Sequence, residues 1–195
     1  MSAQTVAMHD HPHVVRGAVL VGGASRRFGS DKADAMFGDT TLLVHQLRTL
    51  QAADIGDLAY VGGSPRAHIT QAEYIADEYP GEGPLGGMLS ILHVCEPQVH
   101  AVVVLAVDVP LVAAGTIRRL IEVLSGADAA VAMGVREHWS CVAIRRTANE
   151  CLQESFNEGN RAVHLAMQRL RLVRVRVDDR ELTNVNDVAS LNGIT

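Results

Sequence analysis

The sequence predicts an α/β fold, a three-layer sandwich with helices on both faces of a mostly parallel, twisted sheet. Three observations carry this. Short runs of Val, Leu, Ile and Ala alternate with segments of helical period through the first two-thirds of the chain. The runs are apolar throughout instead of alternating with polar residues, as strands covered on both faces are. The chain has 195 residues with no internal repeat, low-complexity tract or long linker, which sets one domain, residues 16–195, behind a polar arm, residues 1–15.

Residues 18–21, within RGAVLVGG, form a buried strand emptying into glycines. A helix follows over 40–53, where Leu42, Leu43, Leu47 and Leu50 share a face and Thr40 or Thr41 caps the start. Residues 58–61 make a second strand, closed by Gly62 and Gly63, and 73–76 a third, very short one. The helix over 84–94 opens at a Gly-Pro step. HAVVVLAV, 100–107, is the clearest buried strand and ends at Asp108-Val109-Pro110. A helix over 114–124 leads to strands at 128–133 and 140–144, joined by a polar segment holding the only tryptophan, Trp139. Short helices fall at 147–156 and 161–170. Val alternates with Arg over 172–177, as in a half-exposed strand. An Asn-rich turn enters a last helix over 184–192.

Composition narrows the function. A net charge of −5 and a pI near 6.0 argue against broad binding to nucleic acid or an anionic membrane. Hydrophobic residues make up 48% and aromatics only 4%, so aliphatic side chains must fill the core. Cys95, Cys141 and Cys151 are too few and too scattered for a disulfide framework or a zinc site, and read as buried thiols of a reducing cytoplasm. No apolar run reaches the roughly 18 residues of a membrane span, and the start has no signal-peptide pattern. His9, His11 and His13 have a spacing that could bind metal, but a disordered arm accounts for them more simply.

In such folds ligands gather beyond the carboxyl ends of the strands, so the loops after the first and fourth strands are where chemistry is expected. The first is LVGGASRRFGSDKA, residues 20–33. It matches neither common phosphate loop. Gly29 is followed by Ser30-Asp31-Lys32 instead of Lys-Ser/Thr, and Ala24 and Arg27 stand where a dinucleotide fingerprint has glycines. The physical logic of anion binding is nevertheless present. Glycines let backbone N–H groups approach an anion, Ser25 adds a donor, and Arg27 and Lys32 add a fork and a point charge.

With its neighbours, this loop resembles the signature of the molybdenum cofactor guanylyltransferase family, within the nucleotidyltransferases of Rossmann-like fold. EGPLGGMLS at 82–90, AVDVP at 106–110 and NVND at 184–187 follow in the family's order. The resemblance implies transfer of GMP from GTP to the terminal phosphate of molybdopterin, with release of pyrophosphate. Leu20, Gly22, Gly23 and Gly83 would line the nucleotide, and Arg27 would grip the triphosphate. Lys32 would stabilise charge on the α-phosphate and the leaving group, and Asp108 would hold Mg2+. An acidic residue at Asp77, or its neighbour Glu78, would accept from guanine N1–H and the exocyclic amine. Asn184 and Asn186 match an N-x-N that faces acceptor and metal; Asp187-Val188 follows where the family usually has Thr-Pro. Taken alone, Asp108 also reads as a helix cap and the two asparagines as an Asx turn.

A phosphorylated acceptor calls for basic residues around it. Arg145, Arg146, Arg161, Arg174 and Arg176 are candidates, with His138 and Trp139 as ring partners, although each arginine is equally an ordinary exposed one. The implied partners are the two substrates and, by transient contact, molybdoenzymes or other cofactor-biosynthesis proteins. Alternative readings are a relative using CTP or another phosphorylated acceptor, a sugar-phosphate nucleotidyltransferase, and a non-catalytic nucleotide-binding protein. The first differs only in its base-reading and acceptor residues. The second usually carries a longer C-terminal half. Retention of Lys32 and Asp108 speaks against the third.

Overall fold

A computed structural model describes residues 14–22, 31–186 and 191. Its elements run in chain order from β1 (Val14–Leu20) through β2 (Met36–Phe37), β3 (Thr40–Thr41), α1 (Leu42–Ala52), β4 (Asp57–Val61) and β5 (Glu73–Ile75). Then come α2 (Pro84–His93), β6 (Val99–Ala106), α3 (Ala114–Glu122), β7 (Ala129–Met133) and β8 (Glu137–Arg145). The chain closes with α4 (Asn149–Asn157), α5 (Val163–Met167) and β9 (Leu172–Arg176).

Seven strands form the main sheet in the order β5-β4-β1-β6-β8-β7-β9. All neighbours pair parallel except β8, which runs antiparallel to both β6 and β7. The expected α/β sandwich with a mostly parallel sheet is therefore what the chain forms. The continuous apolar runs have the expected cause. In β6, Ala101, Val103 and Leu105 face the core under α1 and α3, while Val102 and Val104 face the core under α2, α4 and α5. With both faces covered from Ala101 to Leu105, no position there is left for a polar side chain, and the one polar residue of the strand, His100, is exposed near its start.

Local departures have local reasons. The helix expected from Thr40 starts at Leu42, because Thr40 and Thr41 pair with Met36 and Phe37 in a small hairpin. Thr41 then caps the helix, its hydroxyl accepting from Val44 N at 3.3 Å. β1 begins at Val14, ahead of residue 18, and β8 begins at Glu137, so Trp139 is in a strand and not in a connecting segment. α5 is only five residues long. Asn184 to Asn186 are not helical, so the expected last helix does not start there; residues 187–190 and 192 lie outside the described part. Only Cys141 is fully buried, its thiol pushed up to about 12 by burial, while Cys95 and Cys151 are half-buried.

After β9 the chain turns back over the carboxyl end of β7 and the amino end of β8 as a strap, residues 177–186. Val177 N bonds to Met133 O at 3.0 Å. Asp179 Oδ1 accepts from Val135 N at 2.7 Å. Glu181 Oε2 accepts from Ala113 N at 2.9 Å and Thr116 Oγ1 at 2.7 Å, which caps α3, a helix whose own Ala113 has no capping side chain. Gly134 is the position this strap requires. A Cβ there would stand 1.8 Å from Asp179 Oδ1. Gly134→Ala should expel that carboxylate from Val135 N and lower stability by about 1–3 kcal/mol. Urea titration would check this, and an unchanged midpoint would mean that Asp179 does not hold the strap.

Candidate functional site

The carboxyl ends of β4, β1 and β6 are level, because backbone bonds continue the ladder past each strand. Val21 N reaches Val61 O at 3.0 Å, Gly62 N reaches Ile75 O at 3.0 Å, and Val107 N reaches Leu20 O at 3.1 Å. Gly22, Gly62, Asp77 and Asp108 therefore leave the sheet at one edge. The approach is close at Gly62, whose φ is +83° and whose Cβ would lie 3.3 Å from Gly22 N. α2 also closes in on this edge: a Cβ on Gly87 would meet Leu20 Cδ2 at 3.0 Å. Its first residue follows Gly83, which offers no side-chain cap; Pro84 has no N–H and Gly86 N donates to Gly83 O at 3.1 Å, so Leu85 N is the first-turn amide left uncapped by a side chain.

Asp108 is the centre of the arrangement. Its Oδ2 lies 3.6 Å from Lys32 Nζ, and its side chain is 27% exposed against 12% for the lysine. Its Oδ1 is buried and has no hydrogen-bond partner. The turn that presents it is held from below by α1. Gln46, fully buried, donates through Nε2 to Val109 O at 2.7 Å and Ala106 O at 3.3 Å, and His45 Nε2 donates to Pro110 O at 2.8 Å. From the other side, Val185 N donates to Asp108 O at 2.8 Å, which brings Asn184 and Asn186 next to it. The alternative reading of Asp108 as a helix cap fails, since no cap bond from it is formed and Glu181 caps α3 instead.

A carboxylate with one orphaned buried oxygen suits a hard cation. No group of three or more His, Cys, Asp and Glu side chains able to hold a metal occurs among the described residues. A bound ion would thus rest on Asp108 together with water and ligand oxygens, the coordination magnesium prefers.

Lys32 is set by a clamp that sequence reading missed. Asp31 accepts from Ala33 N at 3.0 Å and shapes a short 3-10 turn, Lys32–Asp34. Arg66, on the loop after β4 and 9% exposed, binds both flanking carboxylates: its Nη2 donates to Asp31, and its Nε donates to Asp34 Oδ1 at 2.7 Å. Arg66 N donates in turn to Tyr60 Oη at 2.7 Å. Such a fork-to-two-carboxylates contact fixes direction as well as distance.

The choice between Asp77 and Glu78 resolves by geometry. Glu78 is exposed and pairs with His93 Nδ1 at 2.8 Å on α2. Asp77 faces the glycine exit: a Cβ on Gly22 would be 3.9 Å from its Oδ2. Asp77 Oδ1 accepts from Tyr79 N at 2.9 Å and stands 3.3 Å from the buried Ser90 hydroxyl, while Oδ2 has no partner among the described residues.

The expected acceptor-side arginines are all engaged in other contacts. Arg145 binds Leu124 O and Arg146 binds Val99 O, both at the amino end of β6, far from the site. Arg161 pairs with Glu82 and lies 3.9 Å over the Phe156 ring. Arg174 pairs with Glu137 at 2.8 Å, and Arg176 donates to Gly134 O at 3.0 Å. Trp139 is half-buried against the core under α2, α4 and α5, its ring 6.4 Å from that of His164 on α5. What does line a cavity at this edge, of about 350 Å³, is Val135, Arg136, His138, Asp179, Leu182 and Asn184. Burial pushes the His138 imidazole below its ordinary value, against the pull of Asp108 and with help from Arg136. A larger cavity of about 400 Å³, between α1 and the turn after Pro110, is lined by no carboxylate. Gly23 and Arg27, expected to line the nucleotide and grip its phosphates, lie outside the described residues, as do Ser25, Arg26 and the three histidines of the arm.

The family model of the MobA-like NTP transferase domain matches residues 17–173. A probable molybdenum cofactor guanylyltransferase of Mycobacterium tuberculosis is 31% identical over 184 residues, 90% of each chain. One from Opitutus terrae is 35% identical over 117 residues, which span 57% of this chain and 58% of the relative. Among solved structures, molybdopterin-guanine dinucleotide biosynthesis protein A from Archaeoglobus fulgidus superposes with a TM-score of 0.73 at 22% identity, covering 91% of this chain and 95% of that one.

Removing the Arg66 fork leaves Asp31 and Asp34 side by side with their partner gone. Arg66→Ala should lower stability by about 1–3 kcal/mol and cut turnover, with Arg66→Lys restoring part of both. Thermal unfolding and turnover measured together check this; a variant that loses stability but keeps full turnover would show that Lys32 does not depend on the clamp.

Proposed function

Because the chain belongs to the MobA-like NTP transferase family, we propose that it transfers GMP from GTP to molybdopterin, releasing pyrophosphate and forming the guanine dinucleotide cofactor. The observation that carries this reading is the Lys32–Asp108 pair, with its unpartnered buried oxygen, at the strand edge where Gly22 and Asp77 also emerge. A protein that only bound nucleotide would need neither side chain so arranged.

Transfer proceeds by attack of an acceptor phosphate oxygen on the α-phosphorus, so the protein's work is positioning and charge neutralisation. Asp108 would hold Mg2+ through Oδ1, and the ion supplies charge neutralisation on the triphosphate and the acceptor. Lys32 balances charge gathering on the α-phosphate and on departing pyrophosphate. Its low exposure matters here, since a half-buried ammonium interacts more strongly with phosphate than one in bulk water. Gly22 and Leu85, in the first turn of α2 behind Gly83, bring amide donors to the nucleotide, and Leu20 closes its floor. Gly23 and Arg27 complete the phosphate grip in this reading, and Asn184 and Asn186 flank the acceptor. Asp77 reads guanine, its free Oδ2 and the remaining lone pair of Oδ1 accepting from N1–H and the exocyclic amine. The reaction belongs to the cytoplasm, with the product passed on by transient contact to molybdoenzymes or other cofactor-biosynthesis proteins.

Pyrophosphate release measured with each of the four nucleoside triphosphates, with molybdopterin and Mg2+ present, tests the whole reading. GTP should be preferred, and no release with any triphosphate would refute it. Lys32→Ala should lower kcat by about 100-fold or more while GTP affinity changes little. Equal turnover in variant and wild type would remove Lys32 from the mechanism. Asp77→Asn should erase most of the preference for GTP over ATP, a loss of about 100-fold or more in the ratio of their kcat/KM values, because the amide cannot accept at both positions. An undiminished preference would assign base reading to another group.

A further inference from the structure

The pairing of β7 with β8 contains an irregularity that decides where His138 points. Val131 pairs with Val142, but the next residue, Ala132, pairs with His138 instead of Cys141. Regular alternation back from Cys141, which faces the core under α1 and α3, would put Trp139 on that side and His138 on the other. The bulge exchanges them. Trp139 packs on the face covered by α2, α4 and α5, beside His164, and His138 turns to the face covered by the strap, beside Leu182 and Asn184. Bulges of this kind re-aim a side chain at the end of a strand pair.

The side chains brought together there share one property. His138 Nδ1 is buried with no hydrogen-bond partner. The Arg136 guanidinium and the Asn184 amide make no hydrogen bond or ion pair with another described residue. The one carboxylate on the wall, Asp179, is already committed to Val135 N. Three donors on a wall whose own carboxylate is engaged suit an anion, and a guanidinium fork suits a phosphate in particular; the Asp108 carboxylate stands beyond the wall, close enough to act on His138. The space, about 350 Å³, is more than a phosphate fills, and Val135 and Leu182 give it an apolar side for the rest of the molecule. It opens next to Asp108, because Asn184 is one residue from the Val185 N–H that binds the Asp108 carbonyl.

Resting on the transferase reading above, we propose that Arg136, His138 and Asn184 form the subsite that receives the acceptor, a phosphomonoester with a ring-bearing body, and bind its phosphate. The arginines at 145, 146, 161, 174 and 176 take no part. Arg136 supplies the charge, His138 an N–H from a ring held in place by the bulge, and Asn184 an amide from the strap.

His138→Leu separates this role from a structural one. It removes the orphaned ring nitrogen, so the unfolding temperature should stay level or rise, while KM for molybdopterin rises about tenfold and KM for GTP stays within about twofold. Arg136→Ala should raise KM for molybdopterin by a similar factor, again sparing GTP. Unchanged molybdopterin KM in both variants would overturn the proposal, as would a His138→Leu protein that unfolds earlier yet keeps its acceptor KM. Titration of the wild-type protein with inorganic phosphate, without nucleotide, should shift the ring 15N resonances of His138. If phosphate moves them while molybdopterin supports no pyrophosphate release, the phosphate subsite stands and the assignment of molybdopterin falls. Resonances that stay fixed at saturating phosphate would overturn the subsite itself.

Discussion

Everything at the functional edge depends on holding one carboxylate at the end of the most deeply buried strand. β6 lies between β1 and β8, apolar on both faces, and delivers Asp108 to the point where the core stops. A charge there is costly unless it is paired or bound. One oxygen faces Lys32, the carbonyl receives Val185 N, and Gln46 and His45 of α1 fix the turn on either side. The second oxygen is left without a partner. α1, the strap and the turn Lys32–Asp34 all converge on this residue, though they come from distant parts of the chain.

Precision at Asp108 and Lys32 therefore depends on residues that touch no substrate. Arg66 joins the loop after β4 to the turn carrying Lys32, so that turn is located by a strand on the far side of β1. The strap is located by Asp179 on the β7–β8 turn and by Glu181 on the start of α3. In both cases a short segment with little core of its own is fixed by charged or backbone hydrogen bonds, which are directional where apolar packing is not. Rigid elements supply the frame, and these clamps set the side chains on it.

The frame was legible because it follows from local pattern. β6 and β1 read as strands since burial on both faces forces uninterrupted apolar residues, and α1 read as a helix from Leu42, Leu43, Leu47 and Leu50. Asp108, Gly22 and Asp77 could be picked out because they sit just past strand ends, where chain order and position in the fold coincide, and Lys32 because it closes the glycine loop that follows β1. The acceptor side could not be read in this way. Whether an arginine lies near the site depends on which end of its strand it occupies and in which direction that strand runs. Because β8 is antiparallel, Arg145 and Arg146 fall at the wrong edge, and Arg136, just before the strand begins, falls at the right one. Arg66 was invisible for a related reason: its partners are 32 and 35 residues away, and no short motif records them. The bulge in β8 is not encoded by any glycine or proline, so the side on which His138 emerges follows only from the pairing itself.

The two ring and carboxylate atoms left unpaired at this edge, Asp108 Oδ1 and His138 Nδ1, bear on how far the site is prepared before a ligand arrives. Buried polar atoms in folded proteins are nearly always bonded, and each exception lowers stability. Neither atom lacks a neighbour by accident of loose packing. Asp108 is restrained through its backbone and its other oxygen, and His138 is restrained by the bulge and the strap. Both are thus held in place with a bonding direction open. Their partners must come from outside the described chain, and the chemistry they ask for is complementary: a cation at the carboxylate and, beside it, an anion at the imidazole. In the proposed reaction, an acceptor phosphate brought up to a charge-neutralised triphosphate would meet both demands in one complex. The free protein would then give up some stability at this edge and recover it on binding.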